Sequence, residues 1–389
     1  MQRFLTALII LASLYSCKGR ESWSYYSTPH HRGCKNSVSL SIYDTLRIRV
    51  PDRHYNFFHN VQIYQDSILY GVNLFDGLRL SVYNLKSSCF LYDILLDRNT
   101  SGTSGIENFR VVSKDSIFIA TTPKLGLILV DSRGKGIDRW DDVDMHISPN
   151  KEPGLSANGF GISTNSFLEN FQYEADSGSM FFVLSPVTAR DEAGSPDISR
   201  HGIYNPDKRQ WEKIFAPYEG VLKHKGMRRY YFDMHHPYQL VVGDKMYVTY
   251  PVDHRVYVYS MRDYEMIGEK DISPSFAVRF PRPLERREAS QQKLVELRNS
   301  TPYYGPLYYH SSADCFSRFY NLKQSAGKER ERALVIYDKD FNIVYEKVYP
   351  MKDISTIVPL SDGFVFIPMN NGDADTILLT HSAIYNKRV

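Results

Sequence analysis

Apolar residues in this chain recur at every second position in short runs, and the runs come in groups. Between Gln239 and Ile272, Met246, Val248 and Tyr250 alternate with Tyr247 and Thr249, and Val256 and Val258 alternate with Tyr257 and Tyr259. A period of two in β-branched and aromatic residues, interrupted by turn residues, predicts one antiparallel sheet of three or four short strands.

The grouping repeats. An Asp followed closely by a hydrophobic run occurs as Asp66 before Ile68-Leu69-Tyr70, Asp115 before Ile117-Phe118-Ile119 and Asp176 before Met180-Phe181-Phe182. It continues as Asp244 before Met246-Tyr247-Val248, Asp314 before Cys315-Phe316 and Asp362-Gly363 before Phe364-Val365-Phe366. The spacing is on the order of fifty to seventy residues, somewhat above common propeller periods. The Asp reads as a turn residue whose side chain bonds its own backbone two residues on and starts a hairpin. Third runs follow at Leu78 to Leu85, Leu125 to Asp131, His201 to Tyr204, Val256 to Ser260, Ala333 to Tyr337 and Thr376 to Thr380. Fourth runs, richer in charge as outer strands should be, follow at Phe90 to Leu95, Ile137 to Trp140, Trp211 to Phe215, Met266 to Lys270 and Ile343 to Val348.

The sixth copy lacks a fourth run, whereas Val38 to Val50 is a strand pattern without a group. Pairing the two closes a ring and leaves no copy with a bare edge. The pattern therefore predicts an all-β fold, a six-bladed β-propeller closed by an N-terminal strand, with one inserted helix. A seven-bladed propeller is the alternative if Val38 to Val50 is half of a further blade. Two sandwich domains would need a linker near the middle, and Ser185 to Ser199 falls inside the third copy instead.

A chain of 389 residues with 42% hydrophobic and 14% aromatic content is ample for such a core. A formal net charge of +3 gives no footprint for nucleic acid. Tyr (29) far outnumbers Trp (3), which suits strands whose outer ends meet water and also suits sugar or peptide contacts.

Long insertions break the repeats at Asp141 to Asn170, Ser185 to Arg200, Pro217 to Pro237 and Leu284 to Arg298. The last reads as a helix, with Pro283 at its entrance and an apolar stripe of Leu294, Val295 and Leu297. The third holds the candidate ligand surface: Lys223, His224, Lys225, Arg228 and Arg229 beside Tyr230, Tyr231 and Phe232, then Asp233, His235 and His236. Cations next to aromatics fit an acidic sugar, a phosphate or a carboxylate. Asp233 and His235 alternate as two metal ligands would, but no further ligands stand near them, and no metal or cofactor is assigned.

No G-x-S-x-G, H-E-x-x-H, P-loop or C-x-x-C occurs, and no catalytic residue is assigned. Asn370 to Asp375 has the composition of a calcium loop without EF-hand offsets and reads as a hairpin turn. His30 and His31 beside Cys34 lack a second ligand cluster and read as a solvated linker.

Residues 1–16 read as a signal peptide, with Arg3 before an apolar run from Phe4 to Leu14 that is too short to span a bilayer. Leu14-Tyr15-Ser16-Cys17 resembles a lipoprotein processing box, with Cys17 as the lipidated residue and Tyr15 bulkier than the pattern carries. An ordinary secretory signal is the other reading. Residues 17–37 are polar and aperiodic, a tether between lipid and the propeller domain at 38–389. With Cys17 acylated, Cys34, Cys89 and Cys315 allow at most one disulfide.

The lipobox, the late helix, Tyr303 to Tyr309, Arg318-Phe319-Tyr320 and Ile336 to Phe341 together resemble an uncharacterised family of Bacteroidetes lipoproteins, a domain of unknown function similar to TolB-like six-bladed propellers. The resemblance implies the fold and a lipid-anchored place in the cell envelope, at the outer membrane, and carries no site residue over. Lys18 to Glu21 holds one acid, which leaves periplasmic and surface-facing orientations open. Two function classes follow: a non-catalytic binding or scaffold propeller for a glycan or envelope protein partner, and a hydrolase or lyase with a site on the ring axis. Cys17→Ser is expected to move the protein from the membrane to the soluble fraction on cell fractionation, since a diacyl anchor is what holds it there; unchanged membrane retention would refute lipidation.

Overall fold

A run that alternates in period two pairs most readily with the next run in sequence, because a turn of a few residues closes an antiparallel hairpin. The computed structural model describes residues 38–52, 54, 58, 60–72, 78–96, 105–122, 126–140, 160–162, 171–175, 177–186, 199–217, 219–220, 234, 236–276, 278, 280, 284, 290–322, 330–354, 356–368 and 376–386. Its strands form six antiparallel sheets, each a blade.

β1 (Val38–Arg49) precedes blade 1, which is β2 (Asn60–Tyr64), β3 (Ile68–Val72), β4 (Arg79–Asn84) and β5 (Cys89–Leu95). Blade 2 is β6 (Gly105–Ser113), β7 (Ser116–Thr122), β8 (Gly126–Val130) and β9 (Gly136–Trp140). In blade 3 the first position is shared by β10 (Phe160–Ile162) and β11 (Phe171–Glu174), which pair with opposite ends of β12 (Ser179–Pro186); β13 (Ser199–Asn205) and β14 (Gln210–Pro217) complete it. The turn-rich stretch 141–170 thus contributes a strand of its own. Blade 4 is β15 (Tyr238–Val242), β16 (Lys245–Thr249), β17 (Arg255–Ser260) and β18 (Met266–Asp271). Blade 5 is β19 (Tyr303–His310), β20 (Cys315–Asn321), β21 (Glu331–Tyr337) and β22 (Ile343–Pro350).

Blade 6 is β23 (Thr356–Pro359), β24 (Gly363–Ile367) and β25 (Thr376–Asn386), with β1 as its outer strand. Val38 pairs with Asn386 and Arg49 with Thr376, so the N-terminal run closes the ring. This fixes six blades, not seven. β25 continues to Asn386, past the expected end at Thr380, because β1 is there to pair with it.

Both faces of the inner strands are apolar because each blade packs on two neighbours. Ile106, Phe109 and Ile117 meet Leu80, Val82 and Ile94 between blades 1 and 2. Met246, Val248 and Tyr250 face blade 3, whereas Val256 and Tyr247 face blade 5. Ile48 and Leu379 of blade 6 close on Leu69 and Tyr83 of blade 1. At roughly 1.5–3 kcal/mol for each fully buried large side chain, these seams dominate stability.

Side-chain hydrogen bonds cross every seam as well. Val111 N donates to Gln62 Oε1 at 2.9 Å between blades 1 and 2, and Trp140 Nε1 to Pro206 O at 3.1 Å between blades 2 and 3. Val241 N donates to Gln172 Oε1 at 2.8 Å between blades 3 and 4, and Arg318 Nη2 to Tyr250 O at 2.7 Å between blades 4 and 5. His310 Nδ1 donates to Leu360 O at 2.8 Å between blades 5 and 6, and Ser361 N to Asp66 Oδ1 at 3.0 Å between blades 6 and 1.

The Asp of the first hairpin does not act as its position suggests. Asp66 accepts from Ser361 of the next blade, Asp115 from Ser132 Oγ, and Asp314 from the Tyr309 hydroxyl. A side-chain cap recurs in five blades at the turn between third and fourth strands, where Asn84, Asp131, Asn205, Ser260 and Asp338 each accept a turn N–H. Each of these turns ends in a left-handed residue, Ser88, Gly134, Arg209, Tyr264 or Phe341, and each is preceded by a register shift in the ladder. A turn followed by a bulge of this kind needs positive φ at its last residue.

Removing residues up to Ser37 is expected to leave the melting temperature unchanged, whereas removing residues through Val50 bares β25 and should lower it by many degrees with aggregation. Equal melting curves for the two truncations would contradict closure by β1.

Candidate functional site

Antiparallel strands send successive connections to opposite ends of a blade, and in this ring the two ends differ. At one end every connection is short: 65–67, 85–88, 114–115, 131–135, 175–178, 206–209, 243–244, 261–265, 311–314, 338–342 and 360–362. The other end carries 141–170, 187–198, 218–237 and 272–302. First strands run parallel around the ring, as the Asn60–Asn108 and Gln62–Val111 bonds show, so these ends define two faces. All four insertions singled out in the sequence emerge on the long-connection face.

Three connections meet at this end of blade 4: 218–237 entering β15, 250–254 between β16 and β17, and 272–302 leaving β18. The departure of the first is bolted down. Glu219 N donates to the Tyr250 hydroxyl at 3.1 Å, and the Tyr259 hydroxyl donates to Glu219 Oε1 at 3.4 Å. Gly220 has φ +55°, and a Cβ there would lie 2.0 Å from the Tyr257 hydroxyl and 2.1 Å from Asp253 Oδ2, so only glycine fits. At the return, Met234 and His236 are buried. Lys223, Lys225, Arg228, Arg229, Tyr230, Tyr231, Asp233 and His235 lie outside the described residues; of the predicted surface, His236 alone is described, inside the fold.

Beneath the connections, Asp253 Oδ1 accepts Arg255 N at 3.0 Å and Oδ2 accepts the Tyr257 hydroxyl at 2.9 Å. Arg318 reaches this turn from β20. Besides Tyr250 O, its guanidinium donates to Asp253 O at 3.3 Å and Gly305 O at 3.0 Å, and lies 4.1 Å from the Tyr304 ring centre. Burial pulls the Arg318 pKa down, while the neighbouring tyrosines and Asp253 favour its charged form. Burial likewise holds the Tyr304 hydroxyl protonated, and that hydroxyl meets His254 Nδ1 at 2.6 Å. His254 packs on Phe280 of the 272–302 connection and is kept neutral by burial, with a pKa of about 4. In the sequence Arg318 stood only within Arg318-Phe319-Tyr320, which gave it no role; an Arg in a strand otherwise largely aromatic was the available signal.

The helix expected at Leu284 to Arg298 is shorter and later. α1 spans Gln291–Ser300 and is capped by Ser290, whose hydroxyl accepts Lys293 N, and not entered at Pro283, which lies outside the described residues. Leu297 packs on the core, but Val295 is exposed and is no part of the buried stripe.

One further cluster joins residue types found in hydrolases. Ser81 Oγ donates to Asp93 Oδ1 at 2.8 Å, and His54 Nε2 meets Asp93 Oδ2 at 2.8 Å. The carboxylate stands between hydroxyl and imidazole, so the base does not contact the nucleophile as activation requires. Among the described residues no group of three His, Cys, Asp or Glu could hold a metal, and no helix is long and apolar enough to cross a membrane. Cys89 and Cys315 are free, and burial pushes the Cys315 thiol up to about 12, which makes it unreactive. Cys17, His30, His31, Cys34 and Asn370 to Asp375 lie outside the described residues.

The model of the domain of unknown function DUF4221 matches residues 37–348, from the closing strand into β22. The chain belongs to the DUF4221 family. Among solved structures it is similar to a DUF4221 member from Bacteroides vulgatus ATCC 8482, at 14% identity and a TM-score of 0.64, covering 91% of this chain and 100% of that one. It is also similar to a Bacteroides fragilis NCTC 9343 protein described as exported, at 12% identity and a TM-score of 0.54, covering 92% of this chain and 98% of that one. These likenesses establish the DUF4221 propeller for this chain. No curated protein matches the sequence.

His310 has its Nε2 on Ser317 Oγ at 2.8 Å and, like His254, a pKa of about 4 caused chiefly by burial. Unfolded histidine titrates near 6.5, so the unfolded chain binds more protons between the two values. Stability is therefore unaffected by these groups above about pH 6.5 and falls as pH drops toward 4, by about 3 kcal/mol for each histidine at the lower limit. Two imidazoles titrating near pH 4 by NMR, with denaturant midpoints falling below pH 6.5, are expected; two midpoints near 6.5 would contradict the burial account.

Proposed function

We propose that this DUF4221 propeller is a lipid-anchored outer-membrane protein that binds an acidic glycan, without cleaving it, on the long-connection face at blade 4. The observation that carries this reading is the one-sided placement of the connections: a ring of tight turns on one face, and on the other the insertion 218–237 held by Glu219, Gly220, Met234 and His236. Within that insertion Lys223, Lys225, Arg228 and Arg229 supply charge-assisted bonds for carboxylates, and Tyr230 and Tyr231 supply rings for sugar faces. Asp233 and His235 complete the set, next in sequence to the buried His236. The Bacteroides fragilis relative described as exported supports an envelope address, and Cys17 would supply the anchor.

The test is a binding screen of acidic and neutral polysaccharides with residues 18–389, compared with an Arg228→Ala, Arg229→Ala variant. Binding to an acidic polymer should fall at least about tenfold in the variant and weaken as salt shortens the ~8 Å Debye length, with the polymer recovered at its original size. Affinity that changes with neither salt nor the double substitution would overturn the site. An envelope protein captured with the same two dependences would keep the surface and replace the ligand class.

A further inference from the structure

The point at which the chain enters the ring decides which face an N-terminal anchor holds toward the lipid. β25 begins after the connection 368–375 at the long-connection end and finishes at the short-turn end, where Ile384 N donates to Asp362 O of the turn 360–362. β1 is antiparallel to it, with Val38 opposite Asn386 and Arg49 opposite Thr376. Val38 therefore lies at the short-turn end, and the chain first reaches the long-connection face only after Arg49. Cys17 and the polar residues up to Ser37 precede Val38 directly.

From this topology we infer that the anchored protein stands with its short-turn face toward the membrane and presents the long-connection face, with the 218–237 insertion, away from it. The inference rests on the lipid anchor proposed above. A polar coil of the length of residues 17–37 has a root-mean-square span of about 25 Å, comparable with the ~20 Å height of strands of six or seven residues. A tether that starts at the short-turn end has the more direct path to the lipid when that face is near it. That face suits close approach without adhesion: its connections are short, and its charges alternate in sign, as in Lys114 beside Asp115, Asp244 beside Lys245 and Arg262 beside Asp263. Neither attraction to nor repulsion from anionic headgroups follows from such a pattern. The geometry also selects among ligands, because a site on the remote face meets polymers arriving from the aqueous side and not the lipid headgroups beneath.

The test uses the full acylated chain in vesicles that carry an acceptor dye on the lipid headgroups. Cys34→Ser and Cys89→Ser leave Cys17 for the anchor and the buried Cys315 as the remaining cysteines, and a donor dye is placed by Lys114→Cys in a short turn or by Lys293→Cys on α1; both positions are exposed. Energy transfer is expected to be about twofold greater from position 114, given the ~20 Å difference in height. Equal transfer, or greater transfer from position 293, in chains that float with the vesicles would overturn the orientation and leave the anchor standing. Chains that fail to float would overturn the anchor, and the orientation with it.

Discussion

A sheet that is apolar on both faces cannot stop at an edge of the molecule; it must be covered on both sides. Every blade of this protein has that property, and only a closed ring satisfies it for all of them. The pairing of β1 with β25 is the contact that makes closure possible, because it gives blade 6 its outer strand and joins the two ends of the described chain. Ile48 then packs with Leu379 toward blade 1, and Val38 with Ile384 toward blade 5. Outer strands, covered less completely, carry the charge: β18 reads Met-Ile-Gly-Glu-Lys-Asp and is mostly exposed.

Apolar packing alone would let blades slide, and the polar bonds across the seams resist that. A glutamine that meets a neighbouring backbone group, as Gln62 does at Val111 and Gln172 at Val241, fixes register as a ladder bond would. Arg318 is the extreme case, a buried cation satisfied by three carbonyls and the face of Tyr304. Burying such a charge costs several kcal/mol, and the geometry around it must be nearly ideal to offset that. The result is a stiff turn at 250–254, between the two longest connections beside blade 4.

The asymmetry of the two faces gives this frame its direction. Turns with a side-chain cap and a left-handed last residue leave no room for insertion at one end, whereas the connections at the other end vary freely in length. Length is tolerated at one face, and the chain enters the ring, at Val38, on the other. The family relationship and the two Bacteroides structures agree with the ring.

Period-two alternation is a local property, and for that reason the strands, their grouping and the missing outer strand of the sixth copy were legible in the sequence. So was the partner of Val38 to Val50, since one unpaired run and one unfilled edge admit a single economical solution. What an isolated side chain bonds to was not legible. Asp66 looks like any turn aspartate, yet its acceptor atoms go to Ser361, 295 residues away. The split first strand of blade 3, the start of α1 at Ser290 and the polar network around Arg318 were hidden for the same reason. Each depends on atoms brought together only when the ring closes, and hydrogen bonding is decided by distance and direction in space, which spacing along a chain does not encode.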